Sequence, residues 1–237
     1  INESRDNHDF YADTNRIAHE VDPTRQTGGV RNFLESEFIE DVFTNNDFSN
    51  GIMDPPHVPY LVTEFGGHMF PTKPFDCEER LVEHALRHTR VQDAQLGHPK
   101  VSGALGWCAF DYNTHWNFGS GDRMCYHGVM DIFRFPKFAA QFYASQQDPK
   151  KRIVLEPATH WKLGERSVGG VNPLVIFTNC DDVDFYVGTT KIGTFKPDRK
   201  TYSNLPHPPV VCSQFRLDWG GKWNTLTLVG KLRGREV

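Results

Sequence analysis

Apolar positions in the first 147 or so residues alternate between two periods. Phe10, Thr14, Ile17, Ala18 and Val21 recur at helical spacing, and Asp22-Pro23 stops that helix. A short strand is expected around Arg25–Arg31, a helix over Phe33–Ile39 and a strand over Asp41–Asn46. Asn50–Pro59 is rich in proline and glycine and reads as a loop. Tyr60-Leu61-Val62-Thr63-Glu64 is a compact apolar run that ends on an acid. Asp76-Cys77-Glu78-Glu79 has the form of a capping box opening a helix whose apolar face is Leu81, Val82, Ala85 and Leu86. Gly97-His98-Pro99 breaks that helix. Val101–Phe110 reads as a strand of small and apolar residues, and Lys137–Ser145 as a last helix. Alternation of this kind predicts a parallel α/β sheet or barrel.

The pattern changes at Gln147-Asp148-Pro149-Lys150-Lys151. Beyond it come short strands over Ile153–Leu155, Leu174–Thr178, Val183–Val187, Val210–Phe215 and Thr225–Val229, punctuated by Gly188, Gly193 and Gly220-Gly221. That is the pattern of a β-sandwich. A domain boundary therefore falls near residue 148, giving an α/β unit over 1–148 and an all-β unit over 149–237.

Hydrophobic residues make up 38% of the 237 and aromatics 13%, enough for a packed core and against disorder. With 26 Lys+Arg against 30 Asp+Glu the formal charge is −4. No basic patch suggests nucleic acid, no apolar run has the ~18 residues of a membrane helix, and the balance suits a neutral substrate such as a sugar. Cys77, Cys108, Cys125, Cys180 and Cys212 form no CxxC pair, so they read as small buried apolar residues rather than a zinc or redox motif. The chain opens at Ile1 without a methionine, in the middle of a motif. Localisation therefore stays open, the periplasm and secretion included.

Glycoside hydrolysis needs two carboxylates, one to protonate the leaving oxygen and one to attack or to activate water. In an α/β barrel such groups sit where strands end. Glu64 closes an apolar strand and is followed by Phe65-Gly66-Gly67, as a group delivered to a barrel top would be; the alternative is an exposed loop glutamate. Glu3, preceded by Asn2 and lying just ahead of a helix, is a weaker signal alone, since an acid there also suits the helix dipole. The spacing of the pair allows three lean βα units, against about 30 residues per unit in an ordinary eightfold barrel.

Ile1-Asn2-Glu3-Ser4 resembles the end of the acid/base strand in family 2 glycoside hydrolases, and Thr63-Glu64-Phe65-Gly66 resembles their nucleophile motif. Ala18-His19-Glu20-Val21-Asp22-Pro23-Thr24-Arg25 resembles the lead into the fifth barrel strand, and Gly106-Trp107 the eighth. Phe177–Val187 is similar to the immunoglobulin-like domain that follows the barrel in β-galactosidases of this family. The resemblance implies the second half of a (β/α)8 TIM barrel followed by an immunoglobulin-like sandwich cut short at Val237. It implies Glu64 as nucleophile and Glu3 as general acid/base, the latter holding the proton at rest. Asn2 would hydrogen-bond the sugar 2-hydroxyl, Trp107 would offer an aromatic wall, and His68 and Asp111 would partner sugar hydroxyls. No cofactor is called for and no metal ligand is assigned. The expected partners are a β-galactoside substrate and the remainder of the chain's own polypeptide, namely the first half of the barrel and the domains before it.

One departure concerns tuning. Relatives often carry a tyrosine beside the nucleophile, on the strand before it. Phe43-Thr44-Asn45-Asn46-Asp47-Phe48 has none, and Asn45 aligns there. A β-glucuronidase would need a basic clamp, for which Arg25, Arg31 and Lys73 lie near but give no assignment; a β-mannosidase is a further alternative. A reading from another class is a non-catalytic carbohydrate-binding or scaffold piece, with Trp107, Trp116, Trp161, Trp219 and Trp223 stacking on sugar. Only a hydrolase needs Glu3 and Glu64 to converge.

Overall fold

The structure is a computed structural model that describes residues 3–31, 33–162, 164, 166, 171–213 and 224–237. Its first part is built on a parallel four-stranded sheet in sequence order: β1 (Val30–Arg31), β2 (Phe43–Asn46), β3 (Tyr60–Gly66) and β4 (Val101–Trp107). Ser4 makes a parallel bridge to Arg31, so the start of the chain lies alongside β1. Helix α1 (His8–Val21) precedes β1. Its N-cap is Asn7, whose side chain accepts from the Phe10 amide at 3.2 Å, and it stops at Asp22, before Pro23. Helix α2 (Glu78–Gly97) is the crossover from β3 to β4 and ends ahead of Pro99.

Two short strands, β5 (Tyr112–Asn113) and β6 (Met124–Cys125), pair antiparallel beyond β4, and α3 (Phe138–Ser145) follows. The remaining strands form two antiparallel sheets. One is ordered β10 (Thr190–Phe195), β9 (Asp182–Val187), β12 (Leu226–Leu232), β13 (Arg235–Glu236). The other is ordered β11 (Val210–Cys212), β8 (Leu174–Thr178), β7 (Leu155–Pro157). Among the described residues no strand is shared between the parallel sheet and these two.

Three apolar clusters hold this together. Phe43, Tyr60, Val62 and Phe65 pack against Val91 of α2. Leu174, Ile176, Val183, Phe185, Val210 and Cys212 fill the space between the antiparallel sheets. The third joins the halves: Val82 and Ala85 of α2 and Ala139 and Phe142 of α3 meet Val175 and Phe177. Strand β8 is thus buried on both faces, with Leu174 and Ile176 toward the sandwich and Val175 and Phe177 toward the helices.

Three expectations for local structure change. The stretch Phe33–Ile39 is not a helix but a series of turns. Fixed polar contacts outcompete its helical pattern: buried Arg31 holds Glu40 at 2.8 Å, and the Asp6 carboxylate accepts from the Glu37 amide at 3.1 Å. The strand expected over Arg25–Arg31 contracts to Val30–Arg31. The capping box does not form either, because the N-cap of α2 is Cys77, without a side-chain cap. Asp76 instead accepts from the Lys73 amide. The C-terminal part of the expected strand Val210–Phe215 lies outside the described residues.

Glu78, fully buried at the start of α2, is drawn across to the other half. Its Oε1 accepts from Arg166 Nε at 2.7 Å, and its Oε2 from the His160 amide at 2.6 Å and Thr159 Oγ1 at 3.1 Å. Removing one partner of such a pair leaves a buried charge uncompensated. Glu78→Ala is expected to cost about 3–5 kcal/mol in denaturant unfolding, and Glu78→Leu with Arg166→Met to recover most of that loss. A loss under about 1 kcal/mol for Glu78→Ala would contradict this role of the Glu78–Arg166 pair.

Candidate active site

The site begins with an irregularity in β3. Between Val62 and Glu64 this strand advances two residues while β2 advances one, from Asn45 to Asn46. Between Val62 and Phe65 it advances three while β4 advances two, from Ala104 to Gly106. One extra residue is therefore inserted at Thr63-Glu64, a β-bulge. In regular alternation Glu64 would share the face of Tyr60 and Val62, which is packed under α2. The bulge hands that face to Phe65, which joins Tyr60, Val62 and Val91, and turns Glu64 to the opposite side.

There Glu64 meets the start of the chain. Asn46 Nδ2 donates to Glu3 Oε1 at 2.9 Å and to Glu64 Oε2 at 3.3 Å. The two bonds bound the separation of those oxygens at the sum of their lengths, about 6.2 Å. The amide is oriented by its other end, since Thr63 Oγ1 lies 3.0 Å from Asn46 Oδ1. Turned over, it would aim its oxygen at two carboxylates. The Glu64 carbonyl also accepts from the Asp47 amide at 2.9 Å, which closes the ladder beside the side chains.

A cavity of about 330 Å³ opens over this pair, lined by Glu3, Phe48, Glu64, His68, Trp107, Tyr112, Phe118 and His127. Its size and aromatic walls suit a small organic ligand. Gly66 and Gly67, at φ +83° and +53°, turn the chain after β3 into a 3-10 turn that carries His68. A Cβ on Gly67 would stand 3.3 Å from Trp107 Cδ1 in a left-handed conformation that favours glycine. Trp107 ends β4 with its peptide to Cys108 cis. Its ring donates from Nε1 to Tyr112 Oη at 3.0 Å and stands edge-on to that ring. His68 packs edge-on against Phe48 at 4.8 Å between centroids.

Of the residues expected to act, Glu3, Glu64, His68 and Trp107 thus line one cavity. Asp111 does not line it. It is 3% exposed, and its Oδ1 accepts from Lys137 Nζ at 2.7 Å and from the Gly128 amide at 2.8 Å. Lys137 also donates to the Thr72 carbonyl at 2.6 Å. Burial moves both partners toward neutrality, raising the Asp111 carboxyl and lowering the Lys137 ammonium, while their contact opposes this. Asp111 therefore fixes the segments that carry Tyr112 and His127, and the neighbouring Tyr112 reaches the cavity. Asn2 lies outside the described residues, as do Trp219 and Trp223. Among the described residues no cluster of His, Cys, Asp and Glu has the geometry to hold a metal ion.

The residue next to both carboxylates is Asn46 and not Asn45, which points the other way and donates to the Arg31 carbonyl at 2.9 Å. The alignment that puts Asn45 beside Glu64 slips by one. Strand parity within β2 carried part of the signal, because Phe43 takes the core face and Asn46, three residues on, takes the opposite one; the bulge in β3 then makes Asn46 the ladder mate of Glu64. Tyr112, Phe118, His127 and Phe48 had no comparable signal, since loop contacts bring them in.

Burial first, then the charge of Glu3, raises the Glu64 carboxyl. Glu64 is half-buried on a central strand, whereas Glu3 stands exposed beside β1. The resemblance expects the resting proton on Glu3, whereas burial falls on Glu64. Burial likewise lowers the imidazole of His127, with His68 and Lys137 adding to the effect.

No family model matches the chain. Its whole length aligns with β-galactosidases of Thermoanaerobacterium thermosulfurigenes, at 52% identity, and of Rhizobium meliloti, at 45%. It spans 36% and 35% of those proteins, about a third of their length. Among solved structures, a Parabacteroides merdae β-glucuronidase superposes with TM-score 0.71 at 18% identity, over 97% of this chain and 32% of that one. A Bacteroides vulgatus β-glycosidase gives 0.68 at 17%, over 100% of this chain and 34% of that one. At those identities the superpositions speak for the fold alone. The class that fold and relatives define is that of the glycoside hydrolases. Within it the chain belongs to glycoside hydrolase family 2.

A carboxyl whose folded pKa is raised binds its proton more tightly in the folded state than in the unfolded chain. Glu64 then costs stability above its folded pKa and costs nothing below its unfolded value near 4.5. Glu64→Gln is therefore expected to raise the Tm of the protein at pH 7, with the gain vanishing below about pH 4. Equal Tm values at both pH values would contradict the burial described.

Proposed function

We propose that the chain contributes the catalytic carboxylates of a retaining β-galactosidase. Residues 1–148 form the second half of a (β/α)8 barrel and 149–237 an immunoglobulin-like sandwich. Glu64 attacks the anomeric carbon to form a glycosyl-enzyme. Glu3 protonates the leaving oxygen and then takes a proton from the incoming water. One observation carries this reading: two carboxylates share a single amide donor at the base of an aromatic cavity. The bound of about 6.2 Å on the bonded oxygens favours retention, in which the carboxyls stand about 5–5.5 Å apart, over inversion at about 6.5–9.5 Å. Trp107 is the wall for the apolar face of the sugar ring, and His68 and Asn2 are hydroxyl partners.

Among the described residues no Lys or Arg lines the cavity, so this chain offers a uronate no cationic partner there, which supports a neutral sugar. Arg31 is committed to Asp6 and Glu40 and stacks on Tyr11, Arg25 pairs with Asp22, and Lys73 lies over Phe75 and Tyr126. The carbohydrate-binding alternative does not account for the convergence of Glu3 and Glu64. Among the described residues no helix is long and apolar enough to cross a membrane.

The test is made in the full-length protein. Glu64→Gln is expected to abolish turnover of aryl β-galactosides. Glu3→Ala should slow substrates with poor leaving groups by about 10²–10⁴-fold and activated aryl galactosides far less. Azide should rescue Glu3→Ala as a galactosyl azide of retained configuration, and aryl β-glucuronides should not be turned over. An azide product of inverted configuration would overturn the assignment of roles.

A further inference from the structure

We propose that Asn46 is a positioning residue that holds Glu3 and Glu64 through one uncharged amide, so that the carboxylate pair is set by a donor that cannot titrate. The inference rests on the reading of Glu3 and Glu64 given above. It starts from the two bonds of Nδ2, at 2.9 Å to Glu3 Oε1 and 3.3 Å to Glu64 Oε2. An amide nitrogen carries two hydrogens, enough to give one to each carboxylate. Asn46 is 8% exposed, and its amide is oriented by Thr63 Oγ1 at 3.0 Å. Thr63 stands in the β3 bulge, so the irregularity that turns Glu64 also supplies the group that orients its donor.

The chemistry of an amide suits this place. Retention needs one carboxyl protonated and the other ionised, the first giving its proton to the leaving oxygen and taking one back from water. A tyrosine or a cation next to the nucleophile would serve one carboxylate and titrate or carry charge of its own. Asn46 donates to both, stays neutral across the working pH range, and favours the ionised form of whichever partner bears the charge. The other titratable groups around Glu64 are Glu3 from the chain start, Asp47 from the end of β2, His68 from the turn after β3, and Tyr112 and His127 across the cavity. The Asp47 carboxylate is taken by the Ser49 and Met53 amides. Trp107 contributes no charge from β4. Asn46 therefore provides the described side-chain donor to Glu64, and its removal should be felt first in the protonation of the nucleophile.

The experiment uses the full-length enzyme and follows the pH profile of kcat/KM with an aryl β-galactoside. Asn46→Ala should fold and lower kcat/KM by about 10²-fold, the loss typical of one preorganised donor. Its acidic limb should move to higher pH because the ionised nucleophile has lost its hydrogen bond. Asn46→Asp, nearly isosteric, places a third carboxylate at the site and should move that limb further. Thr63→Val should give a smaller change in the same direction. An Asn46→Ala enzyme that folds but keeps its acidic limb and its kcat/KM within about threefold overturns the inference. If Asn46→Ala does not fold, an unmoved limb in Asn46→Asp overturns it instead. Glu64→Gln in parallel separates the two readings. A dead Glu64→Gln beside an unmoved Asn46 profile sinks only this inference, whereas an active Glu64→Gln sinks the role of Glu64 and this inference with it.

Discussion

The single extra residue in β3 is the constraint on which the site depends. A strand packed under a helix has one face for the core and one for everything else, and the parity of its residues decides which is which. Tyr60 and Val62 take the core face of β3, and by parity Glu64 would follow them beneath α2. A carboxylate there would be desolvated without a partner. The insertion at Thr63-Glu64 passes the core face to Phe65 and leaves Glu64 beside Asn46. Bulges are rare in parallel sheets and tend to mark the places where a side chain has to be re-aimed.

That re-aiming works only if β3 is held still, and the polar groups behind it do this. Helix α2 packs Val91 on the core face of β3 and ties its Gln92 to the Ala104 carbonyl of β4 at 2.9 Å. Its His88 shares a 2.9 Å hydrogen bond with Tyr143 of α3, and burial lowers that imidazole to about 4. Both rings press on Gly106, where a Cβ would stand 2.9 Å from the Tyr143 hydroxyl and 3.1 Å from the His88 ring. The glycine before Trp107 is therefore a packing requirement, and it sets where β4 delivers the aromatic wall.

How much of this could be read along the chain follows from how local each cause is. Helices α1, α2 and α3 and strands β2, β3 and β4 are set by period and by Pro and Gly stops, so their patterns point to them. The turns at Phe33–Ile39 are set by a bond between the flanking Arg31 and Glu40 and by Asp6, which is distant in sequence, and a helical pattern loses to them. Glu3 and Glu64 drew attention through the motifs they end. Asn46 was missed by one residue because the alignment of an absent tyrosine ignored parity and the bulge was invisible. Asp111 and Tyr112 show the same limit. They are adjacent, so they point opposite ways, and nothing local says which of them meets the buried Lys137 and which meets the cavity.

The all-β half enters the same argument through charge. Glu78 at the first turn of α2 could have been an ordinary solvated acid favouring the helix dipole. Instead its two oxygens are filled by Arg166, Thr159 and the His160 amide, and Arg166 also donates to the Pro173 carbonyl at 2.8 Å. A buried pair of this kind adds little net stability against an apolar alternative, but it tolerates little displacement, since a misplaced α2 would leave a charge unmatched in the interior. Apolar contacts of α2 and α3 with Val175 and Phe177 supply the cohesion at that interface, and the ion pair supplies its register. Because α2 in turn backs β3, the placement of Glu64 is tied through two packed layers to a strand of the β-sheet half.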